Sequence, residues 1–205
     1  MTGSSEVVAS DDHRRAGDAG LIEQSWREPE RFAALFDRYA AELHRYVRRR
    51  LGAGVADDVV AETFLAAFRQ RQRYDLARLD ARPWLYGIAT NLMGRHRRAE
   101  ARLYRALART GVDPVTADHA DRVVAWVAAE GARRQLAAAL ARLPRGDRDV
   151  LLLVAWAELR YEEVAAALGI PVGTVRSRLN RARRQLRQAL GDAGPTANLE
   201  EPSDG

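Results

Sequence analysis

The sequence contains no cysteine, and all 33 of its basic residues other than histidine are arginine. Without cysteine, disulfides and thiolate metal ligands are excluded. The four histidines, at positions 13, 44, 96 and 119, follow no ligand spacing, so we expect neither a metal site nor a cofactor. No apolar run approaches the roughly 18–20 residues that cross a bilayer, and the polar N-terminus is unlike a signal peptide. These absences predict a cytoplasmic protein without membrane insertion.

The charges that are present are distributed unevenly. Residues 29–110 carry 17 arginines against 9 acidic residues, and residues 132–190 carry 12 against 5. The segments 1–28, 111–131 and 191–205, which precede, separate and follow them, are each net acidic. Two basic modules between acidic segments indicate a polyanionic partner that contacts both modules.

Apolar residues recur at helical spacing in both basic modules, and no segment favours strands. The predicted helices before the last two cover residues 32–51, 55–71, 83–98, 121–144 and 148–158. The turn ahead of residue 148 has Asp147 as its predicted N-cap. The pattern therefore predicts an all-α protein with two helical domains joined by a flexible linker.

Composition sets the predicted domain boundaries. Residues 1–28 are rich in Ser, Asp, Ala and Gly, which predicts a disordered arm with some helix near residues 21–26. The first domain covers residues 29–110, and the linker with the start of the next helix covers 111–131. The second domain covers residues 132–190, and a disordered acidic tail covers 191–205.

The segment Tyr161–Arg184 predicts two short helices around a tight turn. Gly169 suits the left-handed conformation that often follows a helix C-terminus. Pro171 suits the opening turn of the next helix, because its missing N–H would have no partner there. The apolar stripe of the second helix comprises Val175, Leu179, Ala182 and Leu186. Two helices joined by a short turn that contains glycine are typical of a DNA-binding helix-turn-helix.

The opposite face of the second predicted helix is polar and basic. A helical hairpin with a solvated arginine-rich face is the alternative interpretation of this pattern. DNA binding is favoured because the face mixes Arg with Ser, Thr and Asn, which suit phosphates and base edges. Acids four residues earlier, which would neutralise the arginines, are also missing. The face carries Gly173, Ser177, Asn180, Arg181 and Arg184, with Arg176 and Thr174 at its margins.

The first module contains two patterns of its own. An acidic patch of Asp57, Asp58 and Glu62 near a helix start is either simple helix-end charge or a docking surface for a basic protein. The helix from Pro83 has Asn91, Arg95, Arg97 and Arg98 beside aromatic residues, which suits unstacked bases and a strand backbone. Among these aromatic residues, Trp84 is either a platform on which a base stacks or, at its helical spacing, a core residue.

The three segments DDVVAETFLAAF, RPWLYGIATNL and LPRGDRDVLLL…YEEVAAALGIPVGTVRSRLNRAR occur in this order. With them, the chain resembles a bacterial RNA polymerase sigma factor of the extracytoplasmic-function (ECF) group of the sigma-70 family. The resemblance covers residues 31–98 and 133–188. It implies the group's two helical domains, region 2 and region 4, without the intervening region 3.

The resemblance also implies partners and residue roles. The partners are core RNA polymerase, through its β′ clamp helices and β flap, promoter DNA and an anti-sigma factor. Asp57, Asp58, Glu62, Thr63 and Phe64 would form or support the clamp-binding surface. In region 4, Arg176, Ser177, Asn180 and Arg181 would read the −35 element in the major groove. Gly173, Thr174 and Arg178 would lie near phosphates. The −10 element, as single strand and adjoining duplex, would be held by Tyr74, Asp75, Arg78 and Arg82 of the loop 73–82 and by Asn91, Arg95, Arg97 and Arg98.

Two positions depart from the family pattern. Ala61 stands where glutamine is usual, and Arg160 replaces the Ser or Thr that would cap the helix at Tyr161. A lost N-cap costs about 0.5–2 kcal/mol.

A stand-alone helix-turn-helix regulator is the competing function, but it leaves residues 29–110 unexplained. Because we find no nucleophile–base set, phosphate loop or metal cluster, we do not expect an enzyme.

Overall fold

A computed structural model describes residues 17–110 and 123–191, and every regular element in these ranges is helical. The predicted all-α class is confirmed for this part of the chain. The helices are α1 Asp18–Gln24, α2 Ala33–Leu51, α3 Ala56–Gln70, α4 Arg82–Met93, α5 Arg97–Thr110, α6 Val123–Arg142, α7 Arg145–Ala155, α8 Tyr161–Leu168 and α9 Val172–Leu190. Short 3-10 turns lead into α2, α3 and α5 and follow α3.

Helices α1–α5 form the first module around apolar residues that recur at helical spacing in the sequence. Leu35, Leu43 and Val47 of α2 are buried, and α3 and α4 pack against this helix. Phe36 recurs with these residues at helical spacing in the sequence, but it is 48% exposed. Its ring contacts only the edge of the core, through Phe64 at 4.9 Å between centroids.

The predicted disordered arm is wrong for residues 17–28, where α1 packs on the first module. Leu21 and Ile22 are fully buried, and the buried carboxylate of Asp18 accepts a hydrogen bond from the hydroxyl of Tyr39 at 2.5 Å. The same carboxylate accepts the backbone N–H of Ala81 at 2.8 Å. A helix of seven residues is too short for its periodicity to stand out in an acidic segment. Residues 1–16 lie outside the described ranges.

A break at Gly94 also divides the helix that was predicted to run from residue 83 to residue 98. The turn Gly94–His96 separates α4 from α5, and α5 continues to Thr110. Tyr104 and Glu100 on α5 are buried. The predicted linker from residue 111 to residue 122, and the tail from residue 192, lie outside the described residues.

Helices α6–α9 form the second module. Leu140 and Leu143 at the end of α6 and Leu152 and Leu153 of α7 are buried with the stripe of α9. The prediction that Asp147 is the N-cap of the next helix is wrong. Helix α7 begins at Arg145, before Asp147, and Pro144 is its N-cap. Asp147 lies in the first turn of α7, and its side chain is buried.

The two modules pack against each other along α4 and α8, and along α5 and α6. The closest approach is at Gly87 of α4, where an added Cβ would lie 2.3 Å from the carbonyl oxygen of Ala167 in α8. Only glycine therefore fits this position in the packed arrangement.

A buried charge cluster crosses the same interface. The guanidinium of Arg50 in α2 donates hydrogen bonds to Glu100 of α5 and Asp149 of α7, each at 2.7 Å. Arg148 of α7 reaches the other oxygen of Glu100 at 2.9 Å. Arg50 also donates to the hydroxyl of Tyr46, and burial raises the pKa of that phenol. Arg50, Arg148, Glu100 and Asp149 are called the Arg50 cluster below.

Candidate nucleic-acid interface and docking surface

The helix-turn-helix forms as the sequence predicts. Val164 and Ala165 on α8 and the four residues of the α9 stripe are buried. Gly169 adopts the left-handed conformation (φ 63°, ψ 38°) that ends α8, and Pro171 is the N-cap of α9. This geometry turns the polar face of α9 away from the core.

The polar face of α9 is open to solvent at its predicted base-reading positions. Arg176 and Asn180 are exposed, and neither side chain makes a hydrogen bond within the described residues. The hydroxyl of Ser177 donates to the carbonyl of Thr174 at 3.1 Å. Gly173 is exposed, whereas Thr174 and Arg178 are half-buried. A helix N-terminus with this mixture of exposed donors and acceptors matches what major-groove recognition requires.

Arg181 has a structural partner that the sequence did not predict. Its guanidinium forms two hydrogen bonds with Asp147 of α7, at 2.9 and 3.0 Å. These bonds raise the pKa of Arg181 above its usual value. Arg178 lies against the same turn, since a Cβ on Gly146 would be 2.8 Å from its guanidinium. Removal of Arg181 would leave a buried carboxylate without this partner, so the side chain is not purely a surface group.

The loop 73–82 is fixed at both ends. Tyr74 is buried, its hydroxyl donates to the carbonyl of Arg78 at 2.7 Å, and its ring packs 4.9 Å from that of Trp84. The side chain of Asp75 accepts from the N–H of Ala77 and pairs with Arg78 at 3.3 Å. At the other end, the N–H of Arg82 donates to the carboxylate of Asp80 at 2.8 Å, and Leu79 just before it is 79% exposed. An apolar side chain so exposed on a loop is an unpredicted candidate for contact with a base.

Arg82 points away from solvent, into the space between the two modules. Its guanidinium pairs with Glu42 and also donates to the carbonyl of Ala157, a residue of the second module. Glu42 accepts the hydroxyl of Tyr86 at 2.9 Å, and burial together with this bond raises the pKa of Tyr86. The side chain of Arg82, which was predicted to contact DNA, is therefore bound to protein partners in this arrangement.

The remaining predicted −10 residues border two grooves. A groove of about 490 Å³ is lined by Tyr74, Asp75, Arg78, Trp84 and Asn91 on one side and by Ala166 and Ala167 of α8 on the other. Arg95 and Arg98 line a second groove of about 810 Å³ with Arg105, Arg145 and Arg148. The side chain of Arg97 lies outside the described residues. The −10 candidates are thus brought to one side of the first module, beside the second.

The predicted polymerase-binding residues divide into an exposed and a buried set. Asp58 is exposed, Asp57 lies 3.0 Å from His44, and Glu62 lies 3.8 Å from Arg95. Thr63 and Phe64 are buried beneath them, and the Thr63 hydroxyl donates to the carbonyl of Val59. Two apolar side chains that were not predicted, Phe36 and Leu65, are about half exposed, at 48% and 47%. Acidic and apolar groups therefore share the outer side of α2 and α3.

Arg160 partly replaces the missing cap of α8. Glu163 accepts the backbone N–H of Arg160 at 2.7 Å and pairs with its guanidinium at 2.9 Å. Burial raises the pKa of Glu163, but these bonds from Arg160 outweigh it and lower the pKa overall. The reciprocal half of a capping box is thus kept although the hydroxyl is absent.

The fold and these surfaces define a two-module helical protein with a helix-turn-helix in the second module. The family described as Sigma-70 region 2 matches residues 35–103, and Sigma-70 region 4 matches residues 133–186. The chain therefore belongs to the sigma-70 family of RNA polymerase sigma factors, in its ECF group. It is a sigma factor that directs RNA polymerase to promoters.

Named relatives support this assignment. The chain is 35% identical over 165 residues to the ECF RNA polymerase sigma factor SigL of Mycobacterium tuberculosis strain H37Rv, covering 80% of this chain and 90% of SigL. It is 32% identical to SigW of Bacillus subtilis strain 168, covering 78% and 89%. The ECF sigma factor SigE of Mycolicibacterium smegmatis is 34% identical, but this chain spans only 62% of its length.

Solved structures share the fold. CnrH, solved in complex with the cytosolic domain of CnrY, superposes with a TM-score of 0.61 at 26% identity, covering 86% of this chain and 99% of CnrH. The sigma factor RpoE of Bartonella quintana, solved with the anti-sigma factor NepR, gives a TM-score of 0.54 at 20% identity, covering 78% and 97%. Within the described residues, no helix is long and apolar enough to span a membrane.

Proposed function

We propose that this sigma factor reads the −35 element with α9 and the −10 element with the loop 73–82 and α4, and binds core polymerase through α3. The observation that carries the proposal is the helix-turn-helix, whose second helix has exposed Arg176 and Asn180 beyond a buried stripe. The whole complex would form in the cytoplasm, where promoter DNA and polymerase occur together.

Base reading on α9 is assigned to the exposed positions. Arg176 can make a bidentate contact to guanine and Asn180 to adenine, because their side chains have the matching donors and acceptors. Gly173, Thr174 and Ser177 lie near the N-terminus of α9, where backbone N–H groups and small side chains suit phosphates. Arg178 and Arg181 are assigned mainly to phosphate contact and positioning, because they lie against α7.

Capture of the −10 strand is assigned to the groove beside Asn91 and to the loop above it. Asn91 is exposed and can hydrogen-bond an unstacked base, while Arg78, Arg95 and Arg98 offer positive charge to the backbone. Leu79 would use its exposed methyl groups to contact a base that has left the stack of the −10 strand. Tyr74 and Asp75 are assigned to holding the conformation of the loop rather than to contacting DNA, since both have hydrogen-bond partners within the loop.

Polymerase docking is assigned to Asp58 and Glu62 together with Leu65 and Phe36. Acidic groups around exposed apolar side chains suit a basic helical partner such as the β′ clamp helices, with burial supplying affinity and charge supplying orientation. The β flap would contact the second module. An anti-sigma factor is proposed as a further partner because RpoE of B. quintana was solved with one.

The decisive experiment is run-off transcription with purified core polymerase, this protein and a promoter fragment. We expect transcripts only when all three are present, and only weak binding of the free protein to duplex promoter DNA. Tight, sequence-specific footprints by the protein alone would instead support a stand-alone regulator.

The docking assignment has its own test. Asp58→Arg with Glu62→Arg should abolish binding to core polymerase, because both charges would then repel a basic clamp. Glu23→Arg with Asp37→Arg, also exposed acids of the first module, is the matched control. If the variant with Asp58→Arg and Glu62→Arg binds core polymerase normally, these acids serve only as charges near the start of helix α3.

A further inference from the structure

We propose that helix α1 is a part of the −10 site, because it holds the loop 73–82 at both ends, and that Asp18 is the positioning residue at the end of this loop. The inference rests on the assignment of the −10 element to that loop under the proposed function. In this role the residues of α1 contact no DNA. They act by fixing the conformation in which Arg78 and Leu79 meet the strand.

The end of the loop is held by the buried carboxylate of Asp18. One carboxylate oxygen accepts the backbone N–H of Ala81 at 2.8 Å and the hydroxyl of Tyr39 at 2.5 Å. The other oxygen pairs with the guanidinium of Arg38. The hydroxyl of Tyr39 also lies 3.2 Å from the carboxylate of Asp80. Asp18 therefore joins helix α2 to the loop at the two residues just before α4 begins.

The start of the loop is held by the other end of α1. Ser25 is the C-cap of α1, and its carbonyl accepts the guanidinium Nε–H of Arg71 at 3.2 Å. The indole N–H of Trp26 donates to the carbonyl of Arg71 at 3.4 Å. Arg71 begins the 3-10 turn that leads into the loop, and its guanidinium lies 3.9 Å from the ring centroid of Phe68 in α3. One short helix thus contacts both ends of the segment that joins α3 to α4.

Helix α1 is itself fixed on the first module, as a support for a loop must be. Leu21 and Ile22 are fully buried, so a shift of the helix would expose apolar surface to water. Ser25 is also buried, and its hydroxyl donates to the carbonyl of Ile22 at 2.6 Å. The polar contacts of α1 therefore transmit a fixed position to the loop.

The buried charge of Asp18 makes this support specific. A buried carboxylate is costly unless hydrogen-bond donors surround it. Here the donors come from the loop and from α2, so the carboxylate keeps them all only while both elements stay in this arrangement. A loop that is already held in its binding conformation loses less entropy when the strand binds. Asp18 should therefore increase discrimination between −10 sequences without contacting a base.

A purely structural role for α1 predicts a different result. Loss of the fold would reduce binding to core polymerase and reading of the −35 element together with reading of the −10 element. A positioning role changes the preference among −10 sequences alone. That preference is a ratio of transcript yields, so it does not depend on the fraction of the protein that is folded.

The test compares two acid-to-amide substitutions on the same helix. Asp18→Asn removes the buried charge and one of the two carboxylate oxygens, whereas Glu23→Gln changes an exposed acid of α1. Each full-length variant is combined with core polymerase, and its affinity for the polymerase is measured. Transcription is then measured from libraries of single-base changes in the −10 and −35 elements.

We expect Asp18→Asn to reduce the preference among −10 sequences by about fivefold, the effect of about one lost hydrogen bond. The preference among −35 sequences and the affinity for core polymerase should be unchanged, and Glu23→Gln should change none of the three. Tyr39→Phe keeps the ring but removes the hydroxyl between Asp18 and Asp80. It should act in the same direction with a smaller effect, and it serves as the second variant should Asp18→Asn not fold.

A spin label reports on the loop directly, because the sequence has no cysteine. Ala77→Cys places the label at an exposed position of the loop, and Ala41→Cys places it at an exposed position of α2 as the reference. In the free protein, Asp18→Asn should increase the mobility of the label at position 77 and leave that at position 41 unchanged.

Unchanged mobility at position 77 in both Asp18→Asn and Tyr39→Phe would overturn the positioning role. Parallel losses in −10 preference, −35 preference and polymerase binding would also overturn it, in favour of a purely structural role. Leu79→Ala separates these failures from failure of the −10 assignment. If Leu79→Ala reduces the −10 preference but Asp18→Asn does not, only the role of α1 is refuted. If Leu79→Ala leaves the preference unchanged, the assignment of the loop to the −10 element is itself refuted.

Discussion

Arginines at the module interface and arginines on the outer face of α9 differ in what surrounds them. The side chain of Arg50 is 2% exposed and binds two carboxylates, whereas that of Arg181 is 51% exposed. The side chain of Arg176 is exposed and makes no hydrogen bond within the described residues. Arginine stays protonated in both settings. The interface therefore needs acids from other helices, and the α9 face leaves its charge available to an external anion.

This difference shows that the arginine count of a segment overstates its DNA-binding surface. Residues 29–110 have the larger excess of arginine, but Arg50 and Arg82 in that module are committed to protein partners. The four predictions below test the distinction, from the largest expected effect to the smallest.

Arg50→Ala should lower the free energy of unfolding by about 3–5 kcal/mol, because buried Glu100 and Asp149 lose the guanidinium that they share and keep Arg148 and Arg145 as partners. Urea denaturation followed by circular dichroism measures the change. Arg176→Ala is the matched control and should stay within about 0.5 kcal/mol of wild type. Equal stability of the two variants would remove the distinction between the two arginine sets.

Arg181→Ala should lower the stability by less than Arg50→Ala does, because it leaves the buried carboxylate of Asp147 without this partner. The double variant Arg181→Ala with Asp147→Ala should recover part of this loss. A double-mutant cycle by urea denaturation gives the coupling. Zero coupling would make Arg181 a surface group of the same kind as Arg176.

Arg176→Ala should cost about 1–3 kcal/mol of promoter recognition and relax preference at one −35 position. Arg178→Ala should weaken all sequences about equally and reduce the salt dependence by roughly one phosphate. Transcription from a library of −35 variants at two salt concentrations separates the two outcomes. Uniform loss for both variants would show that the face contributes only charge.

The smallest effect is expected at the start of α8. Because the pKa of Glu163 in the folded state lies below its ordinary value of 4.5, its stabilisation is present above pH 4.5 and is lost as the pH falls through the folded pKa. Glu163→Gln should therefore lower the melting temperature slightly at neutral pH and converge with wild type in acid. A constant difference across the titration would contradict this assignment.

Sequence patterns predicted the second module better than the first. The α9 stripe and the left-handed Gly169 follow from local spacing and backbone sterics, and both are confirmed. Helix α1 was predicted only as some helix near residues 21–26 within a disordered arm, because Leu21 and Ile22 are its only large buried residues, too few to define a period.

The partners of buried charges were missed for a different reason. Arg50 and Asp149 are 99 positions apart, and Arg181 and Asp147 are 34 apart. Periodicity identifies the apolar side of a helix, but it does not identify which distant acid will face a given arginine. Leu79 and Leu65 were missed as surface candidates because exposure of an apolar residue breaks the pattern used to place it.

The Arg50 cluster also imposes an order on biosynthesis. Glu100 leaves the ribosome 50 residues after Arg50, and Asp149 leaves it 99 residues after Arg50. At about 5–20 residues per second, the guanidinium waits on the order of 5–20 s for its second carboxylate. In the second half of that interval, after Glu100 has emerged, the nascent first module has one carboxylate for one guanidinium. Asp149 becomes available only after the whole of residues 17–110 has been synthesised, so the contact between the modules is the last to complete the cluster.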